Sequence, residues 1–444
     1  MVKFLILFIQ FFVLIFLVAY FSTNSFLVTF EINDLIYTFS SNLLLFFLVL
    51  IILICFIILF FYFKSRYKIQ KYFLLKDKKN LQKGYGYFAD AMISLANKDK
   101  KNAVIANKKM KKLIKDDHGL SMLLNSEILK IEKKYQELSL LHEEMIKNKK
   151  TETLGYKGLM EENIKKEDYH HAFIYGERLF QLNPFIDKLY LTLVSIIAKT
   201  RNWNQLINIS KQAYNKKIID IKTFNQNTAI ALYEISKIKI NSDPKESLNL
   251  IQKAIKLNGP FPPFIKLYLE ILMTQNEISK IKKIIKKYWN DQPSSALRRI
   301  ISEFLKNNNL ANLENIKFIT KSSYNDTESK KLLVDFAIHN SDWSLARESI
   351  KGLIKFNPDR EICEFMASLE MGEFNDIQKR DSWMLRAENA SFDEIWICQI
   401  TNTPQKDWDS ISESGHFNSL EWKRPKMLGS NLLKYEYFEY LCWL

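Results

Sequence analysis

Residues Leu43–Phe63 read LLLFFLVLIILICFIILFFYF, an unbroken apolar run without a charge, closed by Lys64-Ser65-Arg66-Tyr67-Lys68. At about 1.5 Å per residue it reaches roughly 30 Å, the hydrocarbon thickness of a bilayer. A helix in a soluble core breaks such a run with polar positions at every turn. This one does not, and a transmembrane helix is expected.

A second apolar run, Phe4–Phe21, is interrupted only by Gln10. No small-residue cleavage pattern stands near Ala19-Tyr20-Phe21, so a spanning helix is expected here rather than a signal peptide. The loop between the runs, 22–42, holds Glu31 and Asp34 but no Lys or Arg. Lys3 precedes the first run, and Lys64, Arg66, Lys68, Lys71, Lys76, Lys78, Lys79 and Lys83 follow the second. The positive-inside bias predicts a two-span hairpin over 1–63 with both termini cytoplasmic and the loop outside. In that loop Phe26, Val28, Phe30 and Ile32 alternate with other residues, which suggests a short strand or hairpin. The basic segment 64–83 interleaves Tyr67, Tyr72 and Phe73 with its lysines. Lys64, Arg66, Lys68 and Lys71 are candidates to meet anionic lipid, at about 1 kcal/mol per base. An ordinary positive stop signal is compatible with the same residues.

The chain carries 64 basic and 49 acidic residues, a net charge of +15. Much of the excess stands beside the apolar runs, and no nucleic-acid signature accompanies it, so no nucleic-acid partner is expected. With only 11 Gly and 9 Pro in 444 residues, long helices joined by short turns are favoured over a βαβ enzyme, and the fold class expected is all-α. The four cysteines, Cys55, Cys363, Cys398 and Cys442, are isolated from one another, and disulfides are not expected.

From 84 to 390 the sequence reads as helix after helix, with a beat of 34 residues. Tyr135, Tyr169 and Trp203 follow at that interval, as do the pairs Tyr156 and Tyr190, and Leu159 and Leu193. The best unit runs Tyr156-x2-Leu159, Asp168-Tyr169-x2-Ala172, Asn183-Pro184, and resembles the tetratricopeptide consensus. Its parts have packing reasons: Ala172 lets two helices approach, the large residues fill the groove opposite, and Pro184 stops the helix. The unit recurs as Leu333, Asp342-Trp343-x2-Ala346, Asn357-Pro358. Weaker units lie between, and Phe88–Lys111 opens the series around Asn97-Lys98-Asp99. About eight or nine repeats are expected, with a groove that takes protein partners.

No phosphate-cradling glycine loop or nucleophile elbow occurs. His170 and His171 are adjacent, so on a helix they point about 100° apart and are poorly placed to share an ion. Glu143-Glu144 and Glu161-Glu162 read as helix surface. No catalytic, cofactor or metal residue is assigned, and no enzyme is expected.

The tail, 391–444, changes character: Trp396, Cys398, Trp408, Gly415, Phe417, Leu420, Trp422 and Pro425 stand among short turns. It resembles a two-knuckle zinc ribbon whose ligand positions hold Cys398, Thr401, Ile411 and Ser414. Only one of these can ligate zinc, which needs about four ligands. A fold that has lost its metal is expected.

Short cytoplasmic N-terminus, two spans, basic collar, tetratricopeptide repeats and this tail together resemble the HemY-type proteins of the bacterial inner membrane. The alphaproteobacterial branch carries a tail of the frame W-x-C-x2-C…W-x2-C-x2-C-G-x-F-x-x-L-x-W-x2-P. Trp396, Cys398, Trp408, Gly415, Phe417, Leu420, Trp422 and Pro425 fit it, and three of its cysteines are missing. The resemblance implies a non-enzymatic inner-membrane scaffold in late haem (tetrapyrrole) biosynthesis, with haem-pathway enzymes as partners. Two other readings stay open. One is an envelope-assembly or quality-control adaptor of the lipopolysaccharide type. The other is a haem- or porphyrin-binding membrane protein using His170, His171 or Cys398 as axial ligands.

Overall fold

The computed structural model describes residues 12–425, apart from 14, 17, 21–22, 24–25, 33–34, 115–117 and 355–357. The run Phe4–Phe21 lies largely outside the described residues, and those of 12–20 that are described are helical. By contact, the chain divides into two compact units, Met1–Leu138 and Ser139–Leu444.

In the first unit, strands β1 (Leu27–Ile32) and β2 (Leu35–Ser40) pair antiparallel, with Leu27 opposite Ser40 and Ile32 opposite Leu35. The alternation of Phe26, Val28, Phe30 and Ile32 thus becomes a hairpin. A single helix follows, Ser41–Ala96, of 56 residues and about 84 Å at 1.5 Å per residue. It runs through the apolar stretch, the basic segment and the first repeat helix, so the boundaries expected at 63/64 and 83/84 are not breaks in the backbone. Among the described residues this is the one helix long and apolar enough to cross a membrane, and none of its apolar window is buried in the protein. That exposure is unlike the core helix of a soluble protein, most of which is buried. Lys64, Arg66, Lys68 and Lys71 are exposed just beyond it. The Lys64 ammonium reaches back over the Phe60 ring, 5.4 Å from its centroid. At its far end the helix turns at Asn97–Asp99 into Lys100–Leu113, and Ala91, Ala106, Met110, Ile114 and Leu124 close a small core.

In the second unit seven helix pairs follow in series from Glu152 to Glu388. One turn joins most of them. A residue in the left-handed region precedes a capping residue, and the next residue opens the second helix. Glu167, Arg201, Asn276, Ser341 and Asn375 hold the left-handed position. Asp168, Asn202, Asp342 and Asp376 cap with their side chains, accepting the backbone N–H three residues on. The 34-residue beat now has a cause. Tyr169, Trp203 and Trp343 are the first residues of second helices. Four residues after the cap of the first six second helices comes a fully buried residue: Ala172, Leu206, Ser247, Ile281, Ile316 and Ala346; after Asp376 the same position is the charged Arg380. The offset of 174 between the two best units is explained by caps spaced 34, 41, 34, 35 and 30 residues apart. This is a tetratricopeptide-like α-solenoid.

Two expectations need correction. The chain is not all-α, because the tail folds as a three-stranded sheet: β3 (Ile395–Cys398) lies between β4 (Pro404–Gln405) and β5 (Leu420–Lys423), both antiparallel to it. Tyr135 also heads a helix, Tyr135–Met145, but is 55% exposed and packs no repeat, unlike Trp203.

Candidate interaction surface

The packing residues read from the sequence take unequal places. Leu159, Ala172, Tyr190, Leu193, Trp203, Leu333, Ala346 and Pro358 are buried, and Tyr156, Tyr169, Pro184 and Trp343 are half-buried. Ala172, Tyr190, Leu193 and Trp203 share one core cluster with Tyr156 and Tyr169 at its edge. Leu333 belongs to the large central cluster, and Ala346 to a third with Trp343 beside it. The Tyr190 hydroxyl is tied to Ser210 Oγ at 3.0 Å and accepts from Asn227 Nδ2 at 2.8 Å, which links three successive helices.

The tail is not an appendage. Trp396, Cys398, Trp408 and Leu420 are part of the same core cluster as the first-helix residues Tyr233, Phe264 and Leu297. Trp408 stands edge-on to Phe261 at 5.1 Å and to Phe264 at 6.2 Å, and Phe417 lies against Trp203 at 6.4 Å. The Trp422 indole N–H donates to Ser295 Oγ at 2.8 Å, and Ser295 donates in turn to Glu394. The side of the first helices from Tyr233 to Ser295 is therefore covered by the chain itself.

Within the tail, three of the four ribbon positions meet. Ser414 Oγ donates to Cys398 Sγ at 3.4 Å, and Thr401 Oγ1 donates to Ser414 Oγ at 3.1 Å. Ser419 Oγ lies 3.3 Å from the same sulfur. Ile411 does not join them. It packs instead with Phe417 against the Trp203 cluster. Burial pushes the Cys398 thiol up, but its hydrogen bonds with Ser414, Ser419 and Thr401 outweigh it and hold it at about 5. A hydroxyl set thus stands where a ribbon would hold its metal, and these groups lack the soft donors zinc takes.

Beyond the covered stretch lies a cavity of about 690 Å³, lined by the first helices Ser295–Asn307, Thr327–His339 and Arg360–Phe374 and by the tail. Its floor is an ion-pair network. Buried Arg298 donates to Glu328 at 2.8 Å and to Glu361 at 2.6 Å. Lys331 reaches Asp359 at 2.6 Å and Glu361 at 3.2 Å, and Lys306 reaches Asp335 at 2.8 Å. Burial works against the Arg298 and Lys331 charges, but the carboxylates around them raise both above their ordinary values. Asp359, Glu361 and Asp393 could converge on a cation. The Lys331 ammonium already pairs with Asp359 and Glu361. Asp393, from the tail, is pushed up to about 7 by burial and then by the charges of Glu361, Asp359 and Glu364, with Lys331 opposing.

His170 and His171 stand in the first turn of the Tyr169–Leu182 helix. Their rings meet edge-on at 5.7 Å, and His171 Nδ1 is bound to the capping Asp168 at 2.7 Å. Cys55, Cys363 and Cys398 are free, and Cys442 lies outside the described residues.

No family model matches the chain, and no curated protein does. Among solved structures it is similar to Naa15/Naa10 bound to HypK-THB, at 11% identity and a TM-score of 0.32 over 69% of this chain and 63% of that one. It is similar to yeast Tom70 at 11% identity and a TM-score of 0.28, over 69% of this chain and 77% of that one. A tetratricopeptide repeat protein from Parabacteroides merdae matches at 12% identity and a TM-score of 0.27, over 56% and 93%. At such scores the repeat fold rests on the turns, caps and packing of this chain.

Sequence reasoning missed the ion-pair network and the docking of the tail. Arg298, Glu328, Lys331 and Glu361 do not stand out in the sequence, since lysines and glutamates occur on every side of them. The signal available was position: each of the four lies in the first turn or two of a first helix.

Proposed function

We propose that this protein is a membrane-tethered, non-enzymatic scaffold that binds protein partners on the charged stretch of its first helices, between Arg298 and Phe365, rather than under the tail. The observation that carries the reading is the division of one repeat face in two. Its Tyr233–Ser295 part is packed by Trp396, Trp408 and Trp422, which leave smaller cavities of about 280 and 530 Å³ beside them, while the next part is a larger cavity floored by paired charges. Charge-assisted pairs held rigid by burial suit polar recognition of a peptide better than apolar anchoring. Of the bases that line the cavity, Arg298, Lys331 and Lys306 are each held in an ion pair, a rigid charged floor that suits recognition.

Tethering by Leu43–Phe63 is supported by the exposure of its side chains and by the basic residues Lys64, Arg66, Lys68 and Lys71 that follow, placed to meet anionic lipid. The two-span topology with cytoplasmic termini belongs to the same proposal, supported by the charge pattern of 1–83. Its narrower form, a bacterial inner-membrane scaffold for late haem biosynthesis with haem-pathway enzymes as partners, is supported by the resemblance of the architecture and of the Trp396–Pro425 frame to HemY-type proteins.

A photo-crosslinker at Lys306 or Phe365, in the intact protein in its native membrane, tests the reading, with Leu267 under the tail as reference. Partners should be captured from the first two positions and not from Leu267. Capture of haem-pathway enzymes supports the narrower form, envelope-assembly proteins support the adaptor alternative, and capture from Leu267 alone overturns the assignment of the surface.

A further inference from the structure

The hairpin β1–β2 has two unlike faces. Residues directly opposite in an antiparallel pair share a face. Val28 with Phe39 and Phe30 with Tyr37 therefore make one face, and Leu27 with Ser40, Thr29 with Thr38 and Glu31 with Ile36 make the other. The first is apolar and aromatic. The second mixes hydroxyls and a carboxylate with two aliphatic residues. On the first face the rings of Tyr37 and Phe39 stack at 6.5 Å and 11°, yet Phe30, Tyr37 and Phe39 stay 48%, 46% and 38% exposed. A lone two-stranded hairpin is at best marginal in water, so such a face calls for something to lie against.

What lies there is indicated by the attachment of the hairpin. The Ser41 N–H donates to the Phe26 carbonyl at 3.0 Å, and the Phe26 N–H donates to Ser41 Oγ at 3.3 Å. The hairpin is thereby pinned to the first turn of the Ser41–Ala96 helix, two residues before the apolar run begins at Leu43. A bilayer that takes up Leu43–Phe63 brings its surface to the hairpin. Aromatic side chains are favoured at that depth, where ring and headgroup meet. The segment 22–42 carries no Lys or Arg, so nothing in it selects anionic lipid.

We propose that the face formed by Val28, Phe30, Tyr37 and Phe39 lies on the bilayer surface at the boundary of headgroups and acyl chains, with zwitterionic phospholipid as its partner. The proposal rests on the reading of Leu43–Phe63 as a membrane span. It makes the hairpin a collar that fixes the depth of the helix, with Thr29 and Thr38 turned to water.

The test places p-benzoylphenylalanine singly at Phe30, Thr29 and Phe56 in the full-length protein in its native membrane, followed by irradiation and mass spectrometry of the adducts. Phe39 repeats the measurement if the Phe30 variant does not accumulate. Phospholipid adducts are expected from Phe56 and from Phe30, several-fold above those from Thr29. Lipid adducts at Phe56 with a protein adduct at Phe30, whether a second copy or another chain, overturn the proposal alone. So does equal lipid labelling from Phe30 and Thr29. No lipid adduct at Phe56 overturns the span, and the collar with it.

Discussion

Trp408 of the tail stands edge-on to Tyr233 of the Ile221–Lys239 helix, ring centroids 5.4 Å apart at 76°. The two residues are 175 positions apart, and the contact makes the tail part of the repeat core. Removing the indole empties a site bounded by Phe261 and Phe264 as well. Trp408→Ala is expected to cost about 3–5 kcal/mol, the range for emptying a buried aromatic site. Every tryptophan in the chain lies at or beyond Trp203, so tryptophan fluorescence during thermal unfolding reports the repeats and tail alone. A dispensable tail would leave that transition unmoved.

Ala172 and Ala346 sit four residues after their caps with no exposed surface. Each is packed into a core cluster, Ala172 with Met160, Phe173 and Leu193 and Ala346 with Val334, Ile350 and Ile362. Ala172→Leu and Ala346→Leu should each overpack the contact and cost about 1–3 kcal/mol. The same change at Ser344, exposed two residues before Ala346, should be near neutral. A matched loss at all three, read as the shift in thermal unfolding midpoint, would contradict the repeat register.

How much of this was legible in the sequence follows from the range of each signal. The apolar run and the aromatics that open second helices are local: composition suffices for Leu43–Phe63, and the cap-plus-aromatic turn suffices for Tyr169, Trp203 and Trp343. Tyr135 misleads because it has the same local position without the neighbouring repeat that buries Trp203. The three tail strands were hidden by their shortness, since two to four residues carry no periodicity. The tail docking and the Arg298 network join residues from 28 to 214 positions apart, and no spacing rule reaches across them. The ribbon frame did place Cys398, Thr401 and Ser414 together, but it put Ile411 where apolar packing against Phe417 decides.

The cap of the Trp343–Lys351 helix offers a direct test of the turn. The Asp342 side chain accepts from the Leu345 N–H at 3.1 Å, after Ser341 in the left-handed region. Asp342→Ala leaves that N–H without its partner and should cost about 1 kcal/mol, with Asp342→Asn recovering most of it. Equilibrium unfolding in urea with unchanged slope would assign the loss to stability rather than to a changed native state.

Asp393 gives the pH dependence a sign. Its carboxyl is raised from the ordinary 3.8 to about 7 in the folded protein, so between those values the folded state holds a proton that the unfolded state has lost. Stability is then undiminished below about pH 4, falls as pH rises toward 7, and levels off above it. Asp393→Asn keeps the shape of the neutral acid and cannot ionise. It should match the parent near pH 4 and exceed it at pH 8, flattening the profile of unfolding midpoint against pH. Buried Glu234, raised by burial beside Ser410 and Asp409 of the tail, works in the same direction. The double variant with Glu234→Gln should therefore be flatter still. A profile that keeps its full slope in both variants would place the titrating groups elsewhere and remove Asp393 from the cavity's electrostatics.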